Sequence, residues 1–163
     1  MVALTVRPYR SGDEAGIVAV ILPIQREEFA IDITAEDQPD LTDIEGFYGA
    51  GSGGFWVAEM DGRIVGTIAL KDIGGRRGAL RKMFVAKPAR GSAIGAGQQL
   101  LDTLLAHAAA HGVTEVFLGT TEKFLAAHRF YEKNDFAAVD PMALPEGFPR
   151  MAVDTRFYRR SLV

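Results

Sequence analysis

Strands interleaved with amphipathic helices around a central antiparallel meander predict an α/β (α+β) fold built on one mostly antiparallel sheet. Three features of the chain lead there. Phe55 to Glu59 and Ile64 to Lys71 flank Asp61-Gly62, a dipeptide that suits a tight hairpin. Leu80 to Val85 and Glu115 to Gly119 are strand-length apolar runs, and an amphipathic helix over about Ile94 to His111 separates them. The 163 residues, 48 % of them hydrophobic, suit a single domain (1–163) with a sizeable core.

The elements follow in order. Ala3 to Arg7 alternates apolar and polar residues and reads as a first strand. Ser11, with Glu14 three residues on, predicts a capping box for a helix whose apolar face is Ile17, Val20, Ile21 and Ile24. Pro23 kinks or ends that helix. Gln25 to Asp43 is mixed and acidic, which predicts loops and a short helix, and Leu41 to Tyr48 predicts another helical piece. Gly49 to Gly54 is a flexible turn before the hairpin, and Gly74 to Gly78 is a turn before the strand that ends at Val85. After Glu115 to Gly119, Thr120 or Thr121 caps a helix from about Glu122 to Lys133, which stops at Asn134-Asp135. Phe124, Ala127 and Tyr131 share one face of it. Phe136 opens a further strand over Ala137 to Val139, and the LPEGFP loop joins this to a last strand at Met151 to Tyr158. No internal repeat is visible.

Composition narrows the function. A formal net charge of −3 gives no electrostatic case for general nucleic-acid binding. The absence of cysteine excludes disulfides, thiolate metal sites and a catalytic thiol, and fits a reducing, cytoplasmic setting. The first residues lack the long apolar stretch of a signal peptide, and no window approaches 18 consecutive apolar residues, so no membrane partner is expected. His107 and His111 are spaced i, i+4 without the intervening Glu of H-E-x-x-H, so no metal is expected.

The richest stretch is Leu80 to Gly112. A turn from Arg90 to Gly97 opens directly into a helix, which leaves first-turn amides unpaired and aimed at one spot. The helix dipole adds partial positive charge there, so the turn suits a phosphate or pyrophosphate. Gly91, Gly95 and Gly97 let an anion approach the backbone, and Arg90 offers a full positive charge. The turn is neither G-x-G-x-x-G nor G-x-x-x-x-G-K-[ST], so it names no nucleotide, and a ligand-free Gly turn before a surface helix fits equally well.

The strand–R-G-x-x-x-G–helix segment is followed by a strand, a helix and F-Y-E-K-N-x-F (Phe130 to Phe136). This series resembles the GCN5-related N-acetyltransferases (GNAT), most strongly from Gly78 to Phe136. The resemblance implies that the turn of Arg90, Gly91, Ser92, Ala93, Ile94, Gly95 and Ala96 binds the pyrophosphate of acetyl-CoA. It implies that Met83, Phe84 and Val85 pair with the pantetheine arm, and that Tyr131 protonates the departing thiolate. Two positions depart from the family pattern: Ala93 stands at a glycine site, and Asp135 replaces the Gly after Asn134. Alanine still donates its amide, and Asn134 or Asp135 tolerates a left-handed helix end.

The implied chemistry is direct attack of a small-molecule or peptide amine on the thioester, with a backbone amide from Met83 to Val85 holding the carbonyl oxygen. The alternatives are a non-catalytic acyl-CoA-binding module of the same fold and an unrelated phosphate-binding domain. His128, one turn before Tyr131, is either part of a proton relay with it or, as expected, a partly exposed residue that packs or bonds locally. For the proton-accepting base, Glu27, Glu28, Asp32, Glu36, Asp37 and Asp40 crowd the segment that roofs the acceptor site in this family, or form a solvated acidic loop. Phe29, Phe84 and Phe148 are candidates to line that site, with buried packing the favoured account of Phe84. Arg76, Arg77, Arg81 and Lys82 form a basic cluster near the turn that either attracts the nucleotide 3′-phosphate or is surface charge, the expectation for most of them. A homodimer is possible, through edge pairing of Met151 to Tyr158.

Overall fold

A computed structural model describes residues 3–91, 93–122, 125–151 and 154–163. In chain order these form β1 (Leu4–Pro8), α1 (Glu14–Pro23), α2 (Pro39–Thr42), α3 (Ile44–Tyr48), β2 (Gly54–Met60), β3 (Arg63–Asp72), β4 (Arg77–Val85), α4 (Ala96–Ala110), β5 (Glu115–Thr120), α5 (Leu125–Lys133), β6 (Ala137–Val139) and β7 (Arg156–Ser161). The strands make one seven-stranded sheet in the order β1-β2-β3-β4-β5-β7-β6. The β4–β5 pair is parallel, because α4 carries the chain back across the sheet between them. Every other pairing of the described strands is antiparallel.

The hairpin forms as predicted, with Asp61 (φ 54°) and Gly62 (φ 75°) both left-handed, which matches the twist of the flanking strands. Strands β2 and β3 are buried on both faces. Trp56, Ala58, Ile68 and Leu70 pack with Leu100, Leu101 and Leu104 of α4, while Phe55, Val57 and Ala69 pack with Ile17, Ile21, Ile44 and Tyr48 of α1 and α3. Two helical layers therefore enclose the sheet.

Ser11 does not cap α1: the helix starts at Glu14 with Asp13 at the cap position, where the Arg7 guanidinium bonds the Asp13 carboxylate. Pro23 ends the α-helix, as expected, and the path continues as a π turn over Ile24–Glu28 with Phe29 N–H donating to the Ile24 carbonyl. The start expected for the helix before Asn134 includes Lys123 and Phe124, which lie outside the described residues; the described helix begins at Leu125. The last strand begins at Arg156, not Met151, and Asp154 N–H bonds the Met151 carbonyl. That strand lies between β5 and β6, with β6 paired to Phe157–Arg159, so it is not an edge strand of the sheet.

Candidate active site

Parallel pairing of β4 with β5 covers only Arg77–Ala79 against Glu115–Phe117. Beyond Ala79 the two strands separate, although β4 runs on to Val85 and β5 to Thr120. A bulge in β4 accompanies the split. The register against β3 shifts between Ala69↔Arg81 and Thr67↔Phe84, and Lys82 takes a left-handed φ of 52°. Thr67 Oγ1 donates to the Lys82 carbonyl at 2.6 Å and pins the bulge. Ala86 N–H bonds the Val65 carbonyl, so strand alternation turns the main-chain groups of Phe84 toward β3 and those of Met83 and Val85 into the split.

The extra residue also resets the side chains. Met83 and Val85 pack on the α4 side, while Lys82 and Phe84 face the α1 side. A cavity of about 370 Å³ occupies the split. Met83 and Tyr131 line it on one side, with Lys82 and Phe84, Gln25 and Phe29 from the π turn, and Phe148 and Asp154 from the β6–β7 connection. Phe29, Phe84 and Phe148 thus all line the cavity, as expected of an acceptor pocket, and Phe29 and Phe84 are in ring contact at 6.2 Å between centroids.

Tyr131 is buried in an aromatic cluster with Phe130, Phe136 and Tyr158. Its hydroxyl donates to Met83 Sδ at 3.6 Å, a soft and weak acceptor. Burial pushes the phenol pKa up, so the proton stays on oxygen at neutral pH. The helix end that carries Tyr131 is pinned to the start of α4: Gln98 and Asn134 exchange side-chain hydrogen bonds of 2.8 and 3.2 Å. Asp135 adopts the left-handed helix end (φ 69°), as expected.

The turn before α4 lies at the outer end of β4, beyond the cavity lining. Gly95 occupies the helix cap position with φ 74°, and Gly91 has φ 97° with open space where a side chain would stand. The amides of Ala96, Gly97 and Gln98 precede the first intrahelical acceptor and point out of the helix end. This backbone cradle fits a pyrophosphate. Ser92, assigned to the same turn, lies outside the described residues. Arg90 is placed differently from the expectation of a free charge. Its guanidinium makes a two-pronged pair with Glu28 (2.8 and 2.9 Å) and bonds the Val85 carbonyl at 2.7 Å, tying the turn to the π turn.

Other predicted residues are sorted by the packing. His128 is buried, not partly exposed, and its Nε2 bonds the Thr121 carbonyl at 2.8 Å. His107 bonds the Ser52 carbonyl and stacks on His111. Arg77 pairs with Glu115 at the opposite end of β4 from the turn. Lys82 is no surface charge. It is buried, donates to Gln38 Oε1 at 2.6 Å and sits 3.5 Å from Asp40, whose carboxylate also accepts from Tyr48 (2.5 Å). Desolvation lowers the Lys82 pKa. Gln25 and Gln38 exchange amide bonds of 3.0 and 2.9 Å and extend this network to the cavity wall. Sequence reasoning missed Gln25 and Asp154. Neither sits in a motif, and both line the cavity only because the π turn and the β6–β7 connection come together over the split.

Comparison with known proteins agrees with this geometry. Residues 19–136 match the Acetyltransferase (GNAT) family. A GNAT-family acetyltransferase from Staphylococcus aureus Mu50 is 38 % identical, with a TM-score of 0.93 over 99 % of this chain and 100 % of that one. A PaiA N-acetyltransferase from Thermoplasma acidophilum, solved with coenzyme A, shares the fold at 16 % identity and a TM-score of 0.74, over 98 % of this chain and 99 % of that one. N-acetylaspartate synthetase from Mus musculus is 32 % identical over 136 residues, 80 % of this chain; the alignment spans 45 % of that relative's length.

Proposed function

Because this chain belongs to the acetyltransferase (GNAT) family, we propose that it transfers the acetyl group of acetyl-CoA to a primary amine of a small molecule or peptide. The amine attacks directly, within a ternary complex. The observation that carries this reading is the split between β4 and β5, with a buried tyrosine hydroxyl at its wall and an open amide cradle at its end. Acetyl-CoA as co-substrate supplies the activated acyl group; the chain supplies binding, orientation and protons.

In this reading the amides of the turn and of the α4 N-terminus receive the pyrophosphate. The main-chain groups of Met83 and the Val85 amide, which face the split, hold the pantetheine arm and polarise the thioester carbonyl. Tyr131 donates its proton to the leaving sulfur, and the weak Met83 contact is readily exchanged for it. Fixing both substrates in one cavity supplies much of the rate. Arg81 and Lys82 on the cavity wall, together with the name of the N-acetylaspartate synthetase relatives, favour an amine that also bears a carboxylate.

Calorimetry with acetyl-CoA and a thiol-release assay against a panel of amines test the proposal. Heat of binding with acetyl-CoA-dependent thiol release is expected. Heat without release for any amine would instead mean an acyl-CoA-binding module, and no heat would end the assignment.

A further inference from the structure

We propose that Asp154 accepts the proton of the incoming amine. This rests on the acetyl-transfer reading. An aliphatic primary amine, with a pKa of about 10.4 for a lysine-like group, is an ammonium at neutral pH and has no lone pair to attack with. A base must therefore stand where the nitrogen arrives.

Among the described residues that line the cavity, Asp154 is the one carboxylate, and no histidine lines it. The acidic segment before α2 does not supply the group. Glu28 is held by Arg90, Asp37 by the Thr34 amide, and Asp40 by Tyr48 and Lys82, and none of the six carboxylates there lines the cavity.

Asp154 is held at the mouth of the split by two features. Its Oδ2 accepts from Met151 N–H at 3.1 Å, while Oδ1 has no partner among the described residues. A Cβ on Gly119, near the end of β5, would lie 2.6 Å from Oδ2. The carboxylate thus fills the space that a side chain on that strand would take, on the cavity side. Burial raises its proton affinity above that of an ordinary Asp. The Met151 amide and the charges of Arg81, Arg150 and Lys82 oppose that rise. The result is a carboxylate more basic than a solvated one and faced by three cations.

The protons balance. One ammonium proton passes to Asp154, and the freed lone pair forms the C–N bond at the thioester carbonyl. The C–S bond breaks, and Tyr131 gives its proton to the thiolate. The nitrogen loses its second proton as the amide forms, which restores Tyr131 through solvent, and Asp154 returns its proton to water.

The test is D154N, which keeps the shape of the side chain and an acceptor for Met151 N–H. kcat/KM is measured from pH 5.5 to 9.5 with acetyl-CoA and L-aspartate, L-glutamate, spermidine or hydrazine, the last being an amine of low basicity. The native protein should show an acid limb set by Asp154; D154N should lose it and instead rise about tenfold per pH unit toward the pKa of each amine, because only free amine then reacts. At pH 7 the variant should lose about 100-fold or more with the basic amines. It should lose far less with hydrazine and keep its calorimetric affinity for acetyl-CoA. D154E should recover part of the loss. A merely structural role would lower all amines alike, and that result, or a D154N rate within threefold of native, overturns the assignment. If D154N does not fold, D154A is judged by the same hydrazine contrast. Failure of the native protein to acetylate any of these amines would instead overturn the transfer reading, and Asp154 with it.

Discussion

Replacing Tyr131 with Phe separates chemistry from packing. The ring contacts with Phe136 and Tyr158, at 5.7 and 6.1 Å between centroids, survive, so no cavity opens. The change removes one hydrogen bond, of 3.6 Å to a thioether, which is worth less than the net ~1 kcal/mol of an ordinary buried bond. For a chain of this size that shifts the melting midpoint by no more than about 2–4 °C. A positioned general acid contributes about 10²–10⁴-fold, or roughly 2.7–5.4 kcal/mol of barrier at 1.36 kcal/mol per decade. Y131F should therefore melt almost like native, bind acetyl-CoA normally, and release thiol at least 100-fold more slowly. Because burial raises the Tyr131 pKa, the native kcat should show no alkaline fall from this group up to about pH 9. A rate within threefold of native, or a midpoint drop beyond about 5 °C, would refute the reasoning: the hydroxyl would be idle in the first case and structural in the second.

Three further outcomes follow from the geometry. Gly95→Ala forces a side chain onto a φ of 74° at the α4 cap, a left-handed cost of about 1–2 kcal/mol, and should weaken acetyl-CoA binding by about tenfold in calorimetry. Gly119→Ala places a Cβ 2.6 Å from Asp154 Oδ2 and 3.1 Å from the Phe157 ring; thiol release should fall with acetyl-CoA affinity retained, and an unchanged rate would mean the carboxylate's position is unimportant. The third concerns acid stability. Hydrogen bonds from Arg7 hold the Asp13 carboxylate below its usual range, so its contribution is complete above the unfolded pKa of about 4 and is lost as pH falls through the lower folded value. Scanning calorimetry of D13N should show a lower midpoint than native at pH 7 and a gap that narrows toward pH 2; parallel curves would disprove the linkage.

Much of the architecture was legible in local signals. The Asp61-Gly62 turn specifies the central hairpin because both positions are left-handed. The Gly-rich turn and the helix after it are recognisable because amide geometry at a helix start depends on a few adjacent residues. Tyr131 was visible through the motif around it, and the positive φ at Asp135 was anticipated from the Asn-Asp helix stop. Less local features were misread. The capping-box pattern at Ser11 loses to an ion pair from Arg7 of a neighbouring strand, and Arg90 is claimed by Glu28, 62 residues away.

Read by itself, the chain determined most of its strands and helices, its Gly-rich turn and the tyrosine proposed as proton donor, because periodicity, turn chemistry and capping act between near neighbours. Only the tertiary structure decided what stands opposite that donor. Lys82 turns inward because a bulge inserts one residue into β4 and flips the side-chain alternation. Gln25 and Asp154 reach the same cavity because the π turn and the β6–β7 connection meet over the split in the sheet. Strand order and register are long-range properties, and they brought these three residues together from distant parts of the chain.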